Sequence, residues 1–142
     1  MQKSCVSAGG RPAAEDPIMA TVLIIDDEPE MRRVLTRFLS RKYRVVVAKN
    51  GHEGMRALLE HKPDIVVTDI LMPEKEGIET IRDIQEQAPG TKIIAMSGGG
   101  LSHNLMFLDI ARAFGADAVL AKPFGRATLM EAVERLLRGK AH

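Results

Sequence analysis

Asp64-Ile65-Val66-Val67-Thr68-Asp69-Ile70-Leu71-Met72-Pro73 follows directly on Pro63 and decides how the rest of the chain is read. Ile65 to Thr68 is a continuous apolar and β-branched run. A strand covered on both faces reads this way, whereas one with a wet face would alternate. The run closes on a single carboxylate, Asp69, and Pro73 lacks the N–H that further ladder pairing would need. Asp69 is therefore expected at the carboxyl end of a buried strand. Taken alone, such an aspartate reads first as a loop residue or a helix cap. Its meaning depends on what other strands bring to the same edge.

Outward from this strand the same pattern repeats. Thr21-Val22-Leu23-Ile24-Ile25 is another buried-strand run, and it ends at Asp26-Asp27. Glu28 and Pro29 suit a helix first turn. The helix that follows carries one apolar stripe, Met31, Val34, Leu35, Phe38 and Leu39. Tyr43 to Ala48 reads as a strand, Asn50-Gly51 as a turn signal, and Met55, Leu58 and Leu59 as a short helix leading back to Pro63. Beyond Pro73, Ile78, Ile81 and Ile84 mark a helix closed by Pro89-Gly90. Lys92 to Met96 is a strand that runs into Ser97 and Gly98-Gly99-Gly100. A helix is expected over about 102–114, with Gly115 as its C-cap. Asp117 to Ala121 is a last strand, ending at Lys122-Pro123. Leu129, Met130, Val133, Leu136 and Leu137 form the stripe of a final helix, with Arg138 and Lys140 near its negative end.

Strand and helix alternate five times. That pattern implies an α/β fold, a doubly wound five-stranded parallel sheet with helices on both faces and right-handed crossovers. Residues 1–19 show no periodic apolar face and read as a flexible N-terminal tail, 20–139 as one domain, and 140–142 as a C-terminal tail.

The chain has 142 residues, 45% hydrophobic and 27% charged, which suits a single soluble domain with its own core. A net charge of +1 argues against a surface built for nucleic acid or an anionic membrane. Arg32, Arg33, Arg37, Arg41, Lys42 and Arg44 read as the solvated face of one helix and its exit. Cys5 has no second cysteine to pair with, which fits a reducing compartment. No apolar run approaches the roughly 20 residues of a membrane span, and the expected location is cytoplasmic. His52, His61, His103 and His142 have no ligand-like spacing and read as incidental.

In a parallel sheet all strands end along one edge. Asp26 and Asp27, Asp69, Ser97 and Lys122 would then share a rim. If the strands of Asp26 and Asp69 are neighbours at a topological switch point, the three carboxylates lie within a few ångströms of one another. Like charges that close require either a raised pKa or a cation. A hard divalent ion, Mg²⁺ above all, suits Asp26, Asp27 and Asp69 together with a backbone carbonyl such as that of Leu71. Lys122 and Ser97 suit phosphate oxygens. The combination reads as phosphoryl transfer, with Asp69 the candidate nucleophile.

These residues resemble a known family. Asp26-Asp27 after the first strand, the lone Asp69, Met72-Pro73-x-x-x-Gly77, Ser97 before small residues, and Lys122-Pro123-Phe124 stand in the order seen in receiver domains of two-component response regulators. The similarity covers about residues 20–139 and is closest in character to stand-alone chemotaxis receivers. It implies a flavodoxin-like strand order 2-1-3-4-5. It implies that Asp69 takes a phosphoryl group from a histidine kinase or phosphotransfer protein with Mg²⁺ as cofactor, and that the Lys122-Pro123 peptide is cis. By the same resemblance, Ser97 and Lys122 move toward the phosphoryl oxygens and switch the loop after the fourth strand. The domain would signal rather than act as an enzyme, assisting only its own phosphorylation and dephosphorylation.

Two features depart from the family pattern. Val119 stands where an aromatic switch residue is usual, and the segment from Ser97 to Lys122 is longer and opens with three glycines. The helix expected over 102–114 is apolar around much of its circumference, through Leu105, Met106, Phe107, Leu108 and Ile110. That surplus suggests a contact surface, with the fifth strand, for a downstream protein target or a second copy. Residues 124–142 suffice for one helix, so output is expected through protein contacts, either from a stand-alone shuttle or from the receiver of a longer regulator. Two other readings compete. A metal-dependent aspartyl-phosphate phosphatase would typically carry a second aspartate at position 71, which is leucine here. A pseudo-receiver acting as an unphosphorylated interaction module would not need the full acidic set.

Overall fold

The computed structural model describes residues 19–70, 76–98, 109 and 112–140. Five strands, β1 (Thr21–Ile25), β2 (Arg44–Ala48), β3 (Ile65–Asp69), β4 (Lys92–Ser97) and β5 (Ala118–Ala121), form one parallel sheet in the order β2-β1-β3-β4-β5. Four helices are described: α1 (Pro29–Leu39), α2 (Gly51–His61), α3 (Glu76–Gln87) and α4 (Arg126–Lys140). The expected α/β fold and strand order are both observed. The tail, Leu71 to Pro73, most of the helix expected over 102–114, and His103 and His142 lie outside the described residues. Among those described, no helix is long and apolar enough to cross a membrane.

The continuous apolar runs are explained by the alternation of side chains across the sheet. From β1, Val22 and Ile24 enter a core shared with Leu35 and Leu39 of α1 and Leu129 and Val133 of α4. Leu23 and Ile25 enter the opposite core, with Leu58 of α2 and Ile81 and Ile84 of α3. In β3, Ile65 and Val67 divide from Val66 in the same way. Every residue of β3 is buried. Each fully covered aliphatic side chain contributes about 1.5–3 kcal/mol, so a central strand with both faces dry is the most strongly held element of the sheet.

Polar side chains at strand entrances pin the register. Asp64, just before β3, accepts the Thr21 N–H through its carboxylate at 2.9 Å, and its own N–H donates to the Thr21 carbonyl at 2.8 Å. Asp117 repeats the device between β4 and β5, accepting from the Ile93 N–H at 2.9 Å. Asn50-Gly51 is a helix start rather than a free-standing turn. The Asn50 side chain accepts from the Glu53 N–H at 2.8 Å, and the Glu53 carboxylate reaches back to the Lys49 N–H at 3.0 Å, a reciprocal cap on α2.

Two glycines are required by space or conformation. A Cβ on Gly54 would run into the Ile25 side chain, so α2 lies directly against β1. Gly115 has φ +114, and a Cβ there would meet the Gln85 amide at 2.5 Å. Its carbonyl accepts from Gln85 Nε2 at 2.9 Å, and its N–H donates to the Arg112 carbonyl at 3.1 Å, as expected of a residue closing a helix. Gly115→Ala is expected to lower the unfolding free energy in a urea titration by about 1–3 kcal/mol. Gly139→Ala, in α4 with open space around it, should leave stability unchanged or raise it by up to about 1 kcal/mol. Equal stability of Gly115→Ala and the unsubstituted chain would contradict the assignment.

Candidate functional site

The sheet register determines which polar residues meet. The β1–β3 ladder ends at Ile25↔Thr68, so Asp26 and Asp69 come next on adjacent strands. The β3–β4 ladder places Asp69 opposite Met96, and the β4–β5 ladder places Ser97 opposite Ala121. All the expected rim residues among those described therefore reach one edge: Asp26, Asp27, Asp69, Ser97 and Lys122. Leu71, expected to offer a carbonyl, lies outside the described residues.

One carboxylate oxygen from each of Asp26, Asp27 and Asp69 lies within 4.8 Å of the other two. Asp26 is fully buried and Asp69 is 5% exposed, while Asp27 faces solvent. Opposite them, Lys122 Nζ donates to Asp69 Oδ2 at 3.0 Å and lies 3.4 Å from Asp26 Oδ2. The lysine is held from behind. Its N–H donates to the Ser97 carbonyl at 2.7 Å, and the Lys122–Pro123 peptide is cis as expected. Gly98 lies alongside the lysine stem, where a Cβ would stand 3.4 Å from Lys122 Cδ. A small residue after Ser97 thus leaves room for the lysine to reach across. Ser97 itself is fully buried at the end of β4, and its hydroxyl donates to the Gly98 carbonyl at 3.4 Å.

Burial is the main influence on the titration of the Asp26 carboxyl and raises its pKa. The Glu28 N–H at 2.9 Å and the Lys122 ammonium oppose that rise, and the Asp69 carboxylate adds to it. The crowding of like charges expected from the sequence is therefore real but secondary to desolvation. Burial would depress the Lys122 ammonium, yet the carboxylates of Asp69 and Asp26 outweigh it and leave its pKa raised. With all three acids ionised, three negative charges face one positive charge. The remaining two units of negative charge match a hard divalent cation held by carboxylate oxygens, so the donor set fits such an ion.

Sequence reasoning missed one participant. Arg32, placed with the solvated arginines of α1, is only half exposed and donates from Nη1 to the Asp26 backbone carbonyl at 2.7 Å. The available signal was its place in the first turns of a helix that starts two residues after the acidic pair. Arg33, Arg37, Arg41, Lys42 and Arg44 are exposed as expected, as are His52 and His61. Val119 is half-buried and packs against the core beneath α2 and α3.

A carboxyl group whose pKa is raised in the fold adds stability below its unfolded value, and that contribution is lost as pH climbs through the folded one. For Asp26 the loss begins above about 3.8, its ordinary value. Asp26→Asn, measured in a metal chelator, is accordingly expected to raise the melting temperature by a few degrees at pH 7, with the gain shrinking toward zero as pH falls below that value. A gain that stays constant with pH, or a loss at pH 7, would contradict the electrostatic account.

The geometry agrees with comparisons to known proteins. Residues 22–134 match the family model described as the response regulator receiver domain. The chain is 38% identical over 117 residues to the chemotaxis protein CheY of Thermotoga maritima, a match that takes in 81% of this chain and 95% of that protein. It is 32% identical over 123 residues to the transcriptional regulatory protein GlrR of Escherichia coli, covering 86% of this chain but only 27% of the longer protein. The crystal structure of a response regulator receiver domain protein from Clostridium thermocellum superposes with a TM-score of 0.79 at 29% identity, over 86% of this chain and 97% of that one. Strand order, acidic rim and sequence match lead to one conclusion: the chain belongs to the response regulator receiver domain family.

Proposed function

We propose that residues 20–139 act as a phosphorylation-controlled receiver, in which Asp69 accepts a phosphoryl group from a histidine kinase or phosphotransfer protein. The observation that carries this reading is Lys122 Nζ bridging Asp69 and Asp26 beside a third carboxylate, Asp27. An Asp69 carboxylate oxygen bonds to phosphorus as the P–N bond of the donor phosphohistidine breaks. The imidazole leaves with the electron pair and takes up a proton. The product is an acyl phosphate on Asp69.

Asp26, Asp27 and Asp69 would hold Mg²⁺, which when bound neutralises charge on the transferring phosphoryl oxygens. The protein supplies the rest by positioning. Lys122 offers a compact cation to the phosphoryl oxygens, and the buried Ser97 hydroxyl turns from the Gly98 carbonyl to the same oxygens. Because Lys122 and Ser97 are joined through the backbone, a shift of either moves the β4 and β5 ends together. That coupled movement is the switch we assign, with output through protein contacts. Val119 at the usual aromatic position means that the signal travels by backbone displacement rather than by a ring rotating inward. Leucine at position 71 leaves a phosphatase without its usual second aspartate, so sustained turnover is not expected.

Treatment with acetyl phosphate and Mg²⁺ should add one phosphoryl group by intact mass, with little addition in a chelator and none in Asp69→Asn. Comparable labelling of Asp69→Asn would overturn the assignment. Mg²⁺ should also raise the melting temperature through its preference for the folded state, and raise it less in Asp27→Ala. Equal stabilisation of both proteins would remove Asp27 from the metal site.

A further inference from the structure

We infer that Arg32 is a positioning residue of the acidic pocket, fixing the backbone from which the buried metal ligand Asp26 projects. The inference rests on the reading that Asp26, Asp27 and Asp69 hold a divalent cation. Asp26 is the first residue beyond the β1–β3 ladder, and it is fully buried. Each of its polar groups has a partner from a different direction. Its N–H donates to the Ala48 carbonyl at 3.1 Å, Oδ1 accepts from the Glu28 N–H at 2.9 Å, and Oδ2 faces Lys122 at 3.4 Å. The main-chain carbonyl is held by Arg32 Nη1 at 2.7 Å, a short charge-assisted bond between the first turns of α1 and the end of β1. Without it, that carbonyl would lose its partner at the point where the sheet ladder no longer supplies one. The peptide joining Asp26 to Asp27 would then be freer to rotate, and both carboxylates would be less well aimed. Outer partners that orient first ligands typically change metal affinity by about 10–100-fold when removed.

The rest of the Arg32 side chain lines an open groove of about 470 Å³, with Pro29, Arg33, Thr36, Arg37 and Val47. A substitution there empties solvent-facing space rather than the core, so the effect on the pocket can be read in a folded protein. Arg33 provides an internal control. It lines the same groove and carries the same charge, but its partner is the exposed Glu30 carboxylate at 3.6 Å, not Asp26.

The sign of the effect separates positioning from simple charge. Arg32 is a cation close to a cation site, so electrostatics alone predicts that removing it tightens Mg²⁺ binding. Positioning predicts the reverse. In isothermal titration of the full chain with MgCl₂, Arg32→Met, which keeps the aliphatic stem, is expected to weaken the dissociation constant about tenfold. Arg33→Met should bind as the unsubstituted chain does or slightly tighter, and the melting temperature of Arg32→Met in chelator should stay close to that of the unsubstituted chain. Should the methionine variant prove unfolded, Arg32→Gln, whose amide is too short to span the same reach, carries the same comparison. Mg²⁺ affinity in the Arg32 variant equal to or tighter than that of the unsubstituted chain would overturn the inference. Absence of Mg²⁺ binding by the unsubstituted chain would overturn the metal reading itself, and this inference with it.

Discussion

The contact between Lys122 Nζ and the carboxylates of Asp69 and Asp26, at 3.0 and 3.4 Å, is the constraint around which this molecule is arranged. Two acids are taken out of water at the end of the sheet, a placement that is costly for ionised groups unless charge and hydrogen bonds are returned. The lysine returns part of the charge. The Glu28 N–H returns a hydrogen bond to Asp26, and Arg32 secures the carbonyl behind it. What is left over is negative, exposed on one side through Asp27, and suited to a divalent cation.

The fold exists in a form that permits this contact because of strand order. With β1 and β3 adjacent, Asp26 and Asp69 follow the last paired residues of neighbouring strands, and no loop has to deliver them. β4 lies beside β3 and β5 beside β4, so Ser97 and Lys122 approach from one side along the same edge. The two cores on either side of the sheet hold these strand ends to a fixed height. The Ile25 side chain pressed against Gly54 shows how little slack there is beneath the acidic pair. A site made of strand termini inherits the rigidity of the sheet.

Much of this was legible in the sequence because burial on both faces leaves an unbroken apolar record. Val22 to Ile25, Ile65 to Thr68 and Ile93 to Met96 show it, and each ends in the polar residue that the site uses. What was not legible depends on contacts distant in sequence or on rotamer choice. Arg32 belongs to a periodic pattern that says which face of α1 is apolar, but nothing in that pattern says which polar side chain bends back over the strand end. The roles of Asp64 and Asp117 emerge only from the sheet register, which shows each carboxylate accepting an N–H near the start of a neighbouring strand. Asn50-Gly51 carries the residue types of a turn, and only the Glu53 contacts show that it begins a helix.

Three carboxylates that share one cation across from Lys122 must also draw a manganese ion between them. Crystals of the full chain soaked in MnCl₂, with anomalous scattering recorded near the manganese edge, test it most directly. One strong peak is expected, bounded by the carboxylates of Asp26, Asp27 and Asp69. A manganese position elsewhere on the surface, with no peak between those side chains, would contradict it.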